Sequence, residues 1–174
     1  MIVDSFNRVH NYLRISLTDN CNLRCFYCMP EEDYQATPVA RLMQLPEIIS
    51  LATTFVTMGV TKIRLTGGEP LIRKDAASII GALASLPVEL TLTTNATRLH
   101  LFKEVLRASN INSINVSLDT LDTVRFEMIT RRRQFDLVME NIRWLLQNNF
   151  HVKINVVLMK GINDKEINNF RSEE

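Results

Sequence analysis

All three cysteines of this 174-residue chain lie within eight consecutive positions, as Cys21, Cys25 and Cys28 in the spacing C-x₃-C-x₂-C. Thiolate sulfur is a ligand for zinc, copper(I) or iron–sulfur clusters rather than for hard cations. A loop this short can curl three thiolates around one centre. Three ligands leave a four-coordinate site one short, and an open position is what a catalytic centre keeps and a structural one closes. Free cysteines are also often buried simply as small apolar residues, but Asn20, Asn22 and Arg24 make this segment polar. A structural zinc would need a fourth ligand, and His10, His100 and His151 are scattered. Spacing therefore favours an iron–sulfur centre and leaves zinc and inert thiols open.

A second stretch with chemical potential is Gly67-Gly68-Glu69-Pro70. Paired glycines let backbone amides come close to a ligand, and the Glu69 carboxylate would then accept from a ligand amine. Gly-Gly is also an ordinary turn, so the tetrapeptide gains its weight from the cysteines nearby. The run Arg131-Arg132-Arg133 reads as a solvated loop, with phosphate binding as the alternative.

These stretches must be positioned by regular elements. Apolar periodicity predicts strands over residues 13–18, 62–66, 89–93, 114–118 and 151–158. Helices are expected over 45–58, 75–85, 99–108, 122–129 and 135–147, with another beginning at Asp164. Pro46 and Glu47 in the first turn and Gly59 past the end punctuate one of them, and Asp75 is expected to cap the next. Strand and helix alternate without hairpin signals, which implies right-handed crossovers and a parallel sheet with helices packed on it. Such sheets place ligands at the carboxyl ends of their strands. The cysteine loop, the Gly-Gly-Glu-Pro turn, Thr94-Asn95 and Asp119 all fall there.

The strands divide into two faces. Ile15, Leu17, Ile63, Leu65, Leu90, Leu92, Ile114, Val116, Ile154, Val156 and Leu158 make one face apolar. The other carries Arg14, Ser16, Thr18, Lys62, Arg64, Thr66, Thr91, Thr93, Asn95, Asn115, Ser117, Asp119, Lys153 and Asn155. Helices must cover the apolar side, so the polar side is expected to line an enclosed ligand chamber, since buried polar groups need partners. Arg14, Lys62, Arg64 and Lys153 in that chamber suit a phosphate-bearing ligand. An open, one-sided sheet facing solvent is the competing picture.

Composition restricts the class of protein. Apolar content of 46% and charged content of 22% are those of an ordinary globular chain, most simply one domain. A net charge of +1 gives no global field for nucleic acid or membrane. No signal peptide is expected at the N-terminus, and no apolar run of bilayer-spanning length. Three clustered cysteines do not read as a secreted disulfide framework, so a reducing, cytoplasmic setting is expected.

Taken together, Cys21, Cys25, Cys28, Tyr27 before the last cysteine, and Gly67-Gly68-Glu69-Pro70 resemble the radical S-adenosylmethionine (SAM) enzymes. Further stretches are similar to one of their families, the GTP 3′,8-cyclases of molybdenum cofactor biosynthesis. They include Leu13-Arg14-Ile15-Ser16-Leu17-Thr18-Asp19, Cys28-Met29-Pro30, Leu92-Thr93-Thr94-Asn95 and Ile114-Asn115-Val116-Ser117-Leu118-Asp119. The resemblance implies a [4Fe–4S] cluster held by Cys21, Cys25 and Cys28, with SAM on the fourth iron and an external electron donor. One-electron cleavage of SAM would give a 5′-deoxyadenosyl radical that takes the ribose 3′ hydrogen of GTP. By motif position Tyr27, Gly68 and Ser117 would touch SAM. Arg14, Arg64, Thr93 and Lys153 would touch GTP, with Lys62 an addition. The implied fold is an incomplete parallel β/α barrel of about five βα units, lacking a sixth strand. The family carries glycine after Asn95 where this chain has Ala96. Family members also continue into a C-terminal region with a second cluster, so residues 1–174 are expected to be one truncated core domain, not competent for full turnover alone. Its open sheet edge would allow a homodimer. Two other functions fit the motifs: radical SAM chemistry on another substrate, such as a peptide or tetrapyrrole, and a non-catalytic iron–sulfur or zinc module that needs a partner chain.

Overall fold

In the computed structural model, which describes residues 2–170, five strands form one parallel sheet in the order of the chain. They are β1 (Tyr12–Ser16), β2 (Lys62–Thr66), β3 (Glu89–Thr94), β4 (Ser113–Ser117) and β5 (His151–Asn155). The crossovers carry α1 (Leu45–Thr57), α2 (Ala76–Ala84), α3 (Lys103–Ala108), and the pair α4 (Thr123–Thr130) and α5 (Phe135–Gln147). Sequential order without reversal is the winding of a β/α barrel. With β1 and β5 both left as edges, the barrel is partial.

Register fixes which residues share a face. Ile15 pairs with Leu65, Leu65 with Leu92, Leu92 with Ile114 and Ile114 with Val152. The neighbouring row runs Thr94, Val116, Ile154. Ile15, Ile63, Leu65, Leu90, Leu92, Ile114 and Val116 are all buried and form one core with Ile48, Ile79, Leu106 and Leu145 from the helices. Each such side chain contributes roughly 1.5–3 kcal/mol on burial. The opposite face carries the row Arg14, Arg64, Thr91, Ser113, His151 and the row Thr93, Asn115, Lys153. The division of faces expected from alternation is therefore the one observed.

The expected enclosure is not. Arg14, Ser16, Ser117, Lys153 and Asn155 are exposed, and only Thr91 and Asn115 of the middle strands are buried among these polar rows. Five strands do not curve far enough to close on themselves, so the polar face opens to solvent.

Local corrections have local causes. β5 ends at Asn155 rather than at Leu158, because the Val157 amide donates to the Asp119 carboxylate at 2.8 Å instead of continuing a ladder. The region expected to be helical from 99 begins as a 3₁₀ turn, Leu99–Phe102, before α3. From Asp164 the described residues form only a 3₁₀ turn, Asp164–Glu166. Asp75 sits at the N-cap of α2 but gives that helix no side-chain hydrogen bond. α1 behaves as expected, with the Glu47 carboxylate accepting the Gln44 amide at 2.7 Å and Gly59 in the left-handed region at φ 102°. By length and composition alone Val39–Thr57, with mean hydropathy 1.2, could cross a bilayer, contrary to the expectation of no such run. In the fold it is a 3₁₀ turn followed by an amphipathic helix that buries Ile48 and Ala52 against the sheet and turns Ser50, Thr53 and Thr54 outward.

Candidate functional site

The cysteine loop leaves β1 and is tied down on every side. The Gly68 amide donates to the Thr18 carbonyl at 2.7 Å and the Glu69 amide to the Asn20 carbonyl at 2.8 Å. This approach is why two glycines stand here. A Cβ on Gly67, whose φ is +150°, would lie 2.4 Å from the Thr18 oxygen, and one on Gly68 would lie 2.3 Å from the Asn20 oxygen. On the other flank the amides of Arg24 and Phe26 donate to the carbonyls of Thr130 and Ile129 at the end of α4. Asp19 accepts from the Thr37 amide, the Thr37 hydroxyl (2.7 Å) and the Tyr34 hydroxyl (3.1 Å), folding the following segment back over the loop. Those donors hold the Asp19 carboxyl below its ordinary range.

The arginine run completes the anchorage. Arg131 takes the left-handed conformation at φ 56° and donates to the Pro30 carbonyl, Arg132 forks onto Glu32 at 3.1 and 2.7 Å, and Arg133 pairs with Glu127. All three thus contact protein groups. Beneath the loop Arg73 is buried and donates to the Leu17 carbonyl (2.9 Å), the Met43 carbonyl (2.6 Å) and Asp75 (2.6 Å). That pairing is why Asp75 does not cap α2.

Cys21, Cys25, Cys28, Tyr27, Gly68, Thr93 and Ser117 line a single cleft at the carboxyl ends of the strands, together with Asn95 and Asp119. Seven of the residues expected to act are thereby brought together. Arg14 and Arg64 pair in register lower on the polar face, and Lys153 lies beside Asn115, which lies beside Thr93. The Arg64 guanidinium donates to the Thr91 hydroxyl at 3.2 Å and stacks over Tyr12. Lys62 is not brought to the site: it begins β2, at the far end of the sheet, and pairs with Glu89 at 2.7 Å.

Glu69 departs from its expected role as an acceptor for a ligand amine. It has no solvent exposure, and its oxygens accept from the Leu71 amide (3.0 Å), the Thr94 hydroxyl (2.8 Å) and the Asn95 amide (2.6 Å). Burial pushes its carboxyl up to about 7, with the three donors opposing. Glu69 is a staple between the turns after β2 and β3. Tyr27 donates from its hydroxyl to Asp119 at 2.6 Å, and the other Asp119 oxygen takes the Val157 amide. Burial, then Asp119, drive the Tyr27 phenol well above its ordinary range. Asn163, buried past β5, donates to the backbone oxygens of Asp119 (2.7 Å) and Val157 (2.9 Å). Neither Asn163 nor Arg73 was recognisable as a buried donor from the sequence, because nothing in a polar residue's identity marks it as buried.

The donor set fits an iron–sulfur group. Burial pushes the Cys25 thiol up to about 12, with the Asp119 charge adding to it, and shifts Cys21 in the same direction, so both hold their protons until a metal displaces them. Among the described residues no three His, Cys, Asp or Glu are grouped closely enough to hold one ion. Three thiols lining one cleft are the ligand type that iron–sulfur centres take. The lining carboxylate, Asp119, accepts from the Tyr27 hydroxyl and the Val157 amide.

The sequence profile of the family described as the Radical SAM superfamily matches residues 15–172. Arabidopsis thaliana "GTP 3′,8-cyclase, mitochondrial" is 47% identical over 173 residues, which cover 98% of this chain and 44% of that protein. Mus musculus "Molybdenum cofactor biosynthesis protein 1" is 49% identical over 172 residues, covering 97% of this chain and 27% of the relative. The chain thus spans less than half the length of either relative. Among solved structures, Streptococcus suis SuiB bound to S-adenosylmethionine shares the fold with a TM-score of 0.71 at 24% identity, over 92% of this chain and 37% of that one.

Proposed function

The chain belongs to the radical SAM superfamily, and from that premise we propose that it is the cluster- and SAM-binding core of a GTP 3′,8-cyclase of molybdenum cofactor biosynthesis. The observation that carries this reading is the convergence of Cys21, Cys25 and Cys28 with Gly68, Thr93 and Ser117 on one cleft, in a chain 47% identical to a protein named GTP 3′,8-cyclase. The cluster and SAM, when bound, supply one-electron chemistry that begins hydrogen-atom abstraction from the substrate.

The chain's own residues bind and orient. The three thiols hold the cluster. Gly68, without a side chain, presents only backbone to SAM, and Ser117 offers an exposed hydroxyl. Tyr27 keeps its hydroxyl on Asp119 and so meets SAM through its backbone or ring. Arg14, Arg64 and Lys153 on the open polar face receive the GTP phosphates, with Thr93 between them and the cluster. Lys62 joins only by leaving Glu89. For this chain the proposal is cluster and SAM binding in a reducing compartment such as the cytoplasm, with reduction by an external donor.

Anaerobic reconstitution with iron and sulfide tests the reading. About four irons per chain are expected, with SAM bound by equilibrium dialysis. The Arg14→Ala, Arg64→Ala double variant should weaken GTP binding at least about tenfold, roughly 1.4 kcal/mol, and leave SAM binding unchanged. Zinc in place of iron, or GTP binding indifferent to both arginines, would overturn the cofactor or the substrate part respectively.

A further inference from the structure

Asn95 stands at the carboxyl end of β3, 7% exposed, between the Gly-Gly-Glu-Pro turn and the cysteine loop. Its Nδ2 lies 3.6 Å from the Cys21 Sγ and 3.1 Å from the Asn22 Oδ1. The orientation of this amide is determined by chemistry. The backbone N–H of Thr97 can only donate, and it reaches the Asn95 Oδ1 at 3.0 Å, so the end facing the sulfur is the NH₂ group. The Thr97 hydroxyl donates to the same Oδ1 at 2.7 Å and accepts from the Asn22 Nδ2 at 2.8 Å, which closes a ring of three side chains.

The backbone beneath is held as firmly. The Asn95 amide donates to Glu69 at 2.6 Å, and the carbonyl of the next residue, Ala96, accepts from Asn141 on α5 at 2.7 Å. Among the described residues Asn95 is the one side chain that directs an N–H at a cysteine sulfur. The same Sγ also accepts the Leu23 amide at 3.4 Å.

We propose that Asn95 is a positioning residue that raises the reduction potential of the iron–sulfur centre through its N–H···S hydrogen bond to Cys21. The inference rests on the cluster-binding reading above. An electron added to a cluster spreads negative charge onto its thiolate sulfurs. A donor aimed at one of them stabilises the reduced form more than the oxidised form, and does so more strongly in a half-buried site. The cost of orienting that donor is met by Thr97 and Glu69 within the protein. The contact therefore exists before any ligand arrives.

The test is an EPR-monitored redox titration of anaerobically reconstituted full chain, with iron content and circular dichroism measured first. Asn95→Asp keeps an acceptor for Thr97 and replaces the N–H donor by oxygen; Asn95→Ala removes both. Each should lower the equilibrium constant for one-electron reduction about tenfold, a shift of 59 mV to more negative potential. Thr97→Val, which keeps the backbone donor and loses the hydroxyl, should shift it in the same direction by about two- to threefold. Where the Asn95 variants fail to fold or to load iron, Thr97→Val carries the test. Unchanged potentials in well-folded, iron-loaded variants would overturn the role of Asn95 and leave the cluster reading standing. Wild-type protein that takes up no iron would overturn both, and the iron assay shows this before any potential is measured.

Discussion

A carboxylate without solvent contact, Glu69, links the turns that follow β2 and β3, and it makes the candidate site sensitive to pH. Its carboxyl is raised to about 7 by burial, against an ordinary value of 4.5. The folded protein therefore holds a proton there that the unfolded chain gives up at lower pH. The stability associated with that proton is complete below about pH 4.5 and is lost as pH rises through about 7, on the order of 3 kcal/mol in all. Urea unfolding at intervals between pH 5 and 8 should show the decline, and Glu69→Gln should flatten it while lowering stability, since its amide would face the Leu71 donor. Ala96 is a second residue whose setting exceeds its identity: it is fully buried with φ 61°, a conformation that costs a residue with a Cβ about 1–2 kcal/mol. Ala96→Gly should raise stability by about 1 kcal/mol, read as a higher urea midpoint. The motif Gly-Gly-Glu-Pro was visible in the sequence, but the work of its glutamate was not. A ligand-facing carboxylate and a buried staple are written with the same letter, and only the positions of Thr94 and Asn95 distinguish them.

The elements were legible wherever a period ran undisturbed. Lys62–Thr66 and Phe135–Gln147 fall where periodicity placed them, because alternation and the helical stripe each face one core. Errors gathered where a side chain intervened: Asp119, from a distant segment, takes the amide of Val157 that a ladder would have used, and the neighbouring Arg73 takes the carboxylate of the expected Asp75 cap. The cysteine loop was legible as a ligand set, and its anchorage to α4 and to the turn after β2 was not, since both contacts run through backbone atoms. That anchorage predicts the outcome of Gly68→Ala. A methyl group 2.3 Å from the Asn20 oxygen must push the turn off the loop. Iron uptake on reconstitution should then fall at least about fivefold, roughly 1 kcal/mol, while circular dichroism of the sheet and helices stays near that of the wild type. Uptake equal to wild type would mean that the loop seats itself without this contact.

At the scale of the whole molecule, the parallel order and the two-faced sheet followed from the alternation of elements, whereas the polar face expected to be enclosed is exposed. The incomplete barrel with its open edge is the one the family resemblance implied. β5 carries the consequence. The His151 amide donates to the Asn112 carbonyl and the Leu118 amide to the Asn155 carbonyl, so odd-numbered residues of β5 face β4 and the amides of Val152 and Ile154 point off the sheet. An edge of that kind is a template for pairing. Hydrogen exchange at low micromolar concentration should find those two amides far less protected than Lys153, and protection that grows with concentration would reveal association between copies through this edge. The tethering of the cysteine segment at Asp19, Arg24, Glu32 and Gly68 has a further result. Ordering a free loop costs roughly 1–2 kcal/mol for each residue, and here folding has already met that cost. An incoming cofactor finds a rigid socket, so the rate of its capture should depend on how fast it is delivered and hardly at all on how long the polypeptide takes to wrap around it.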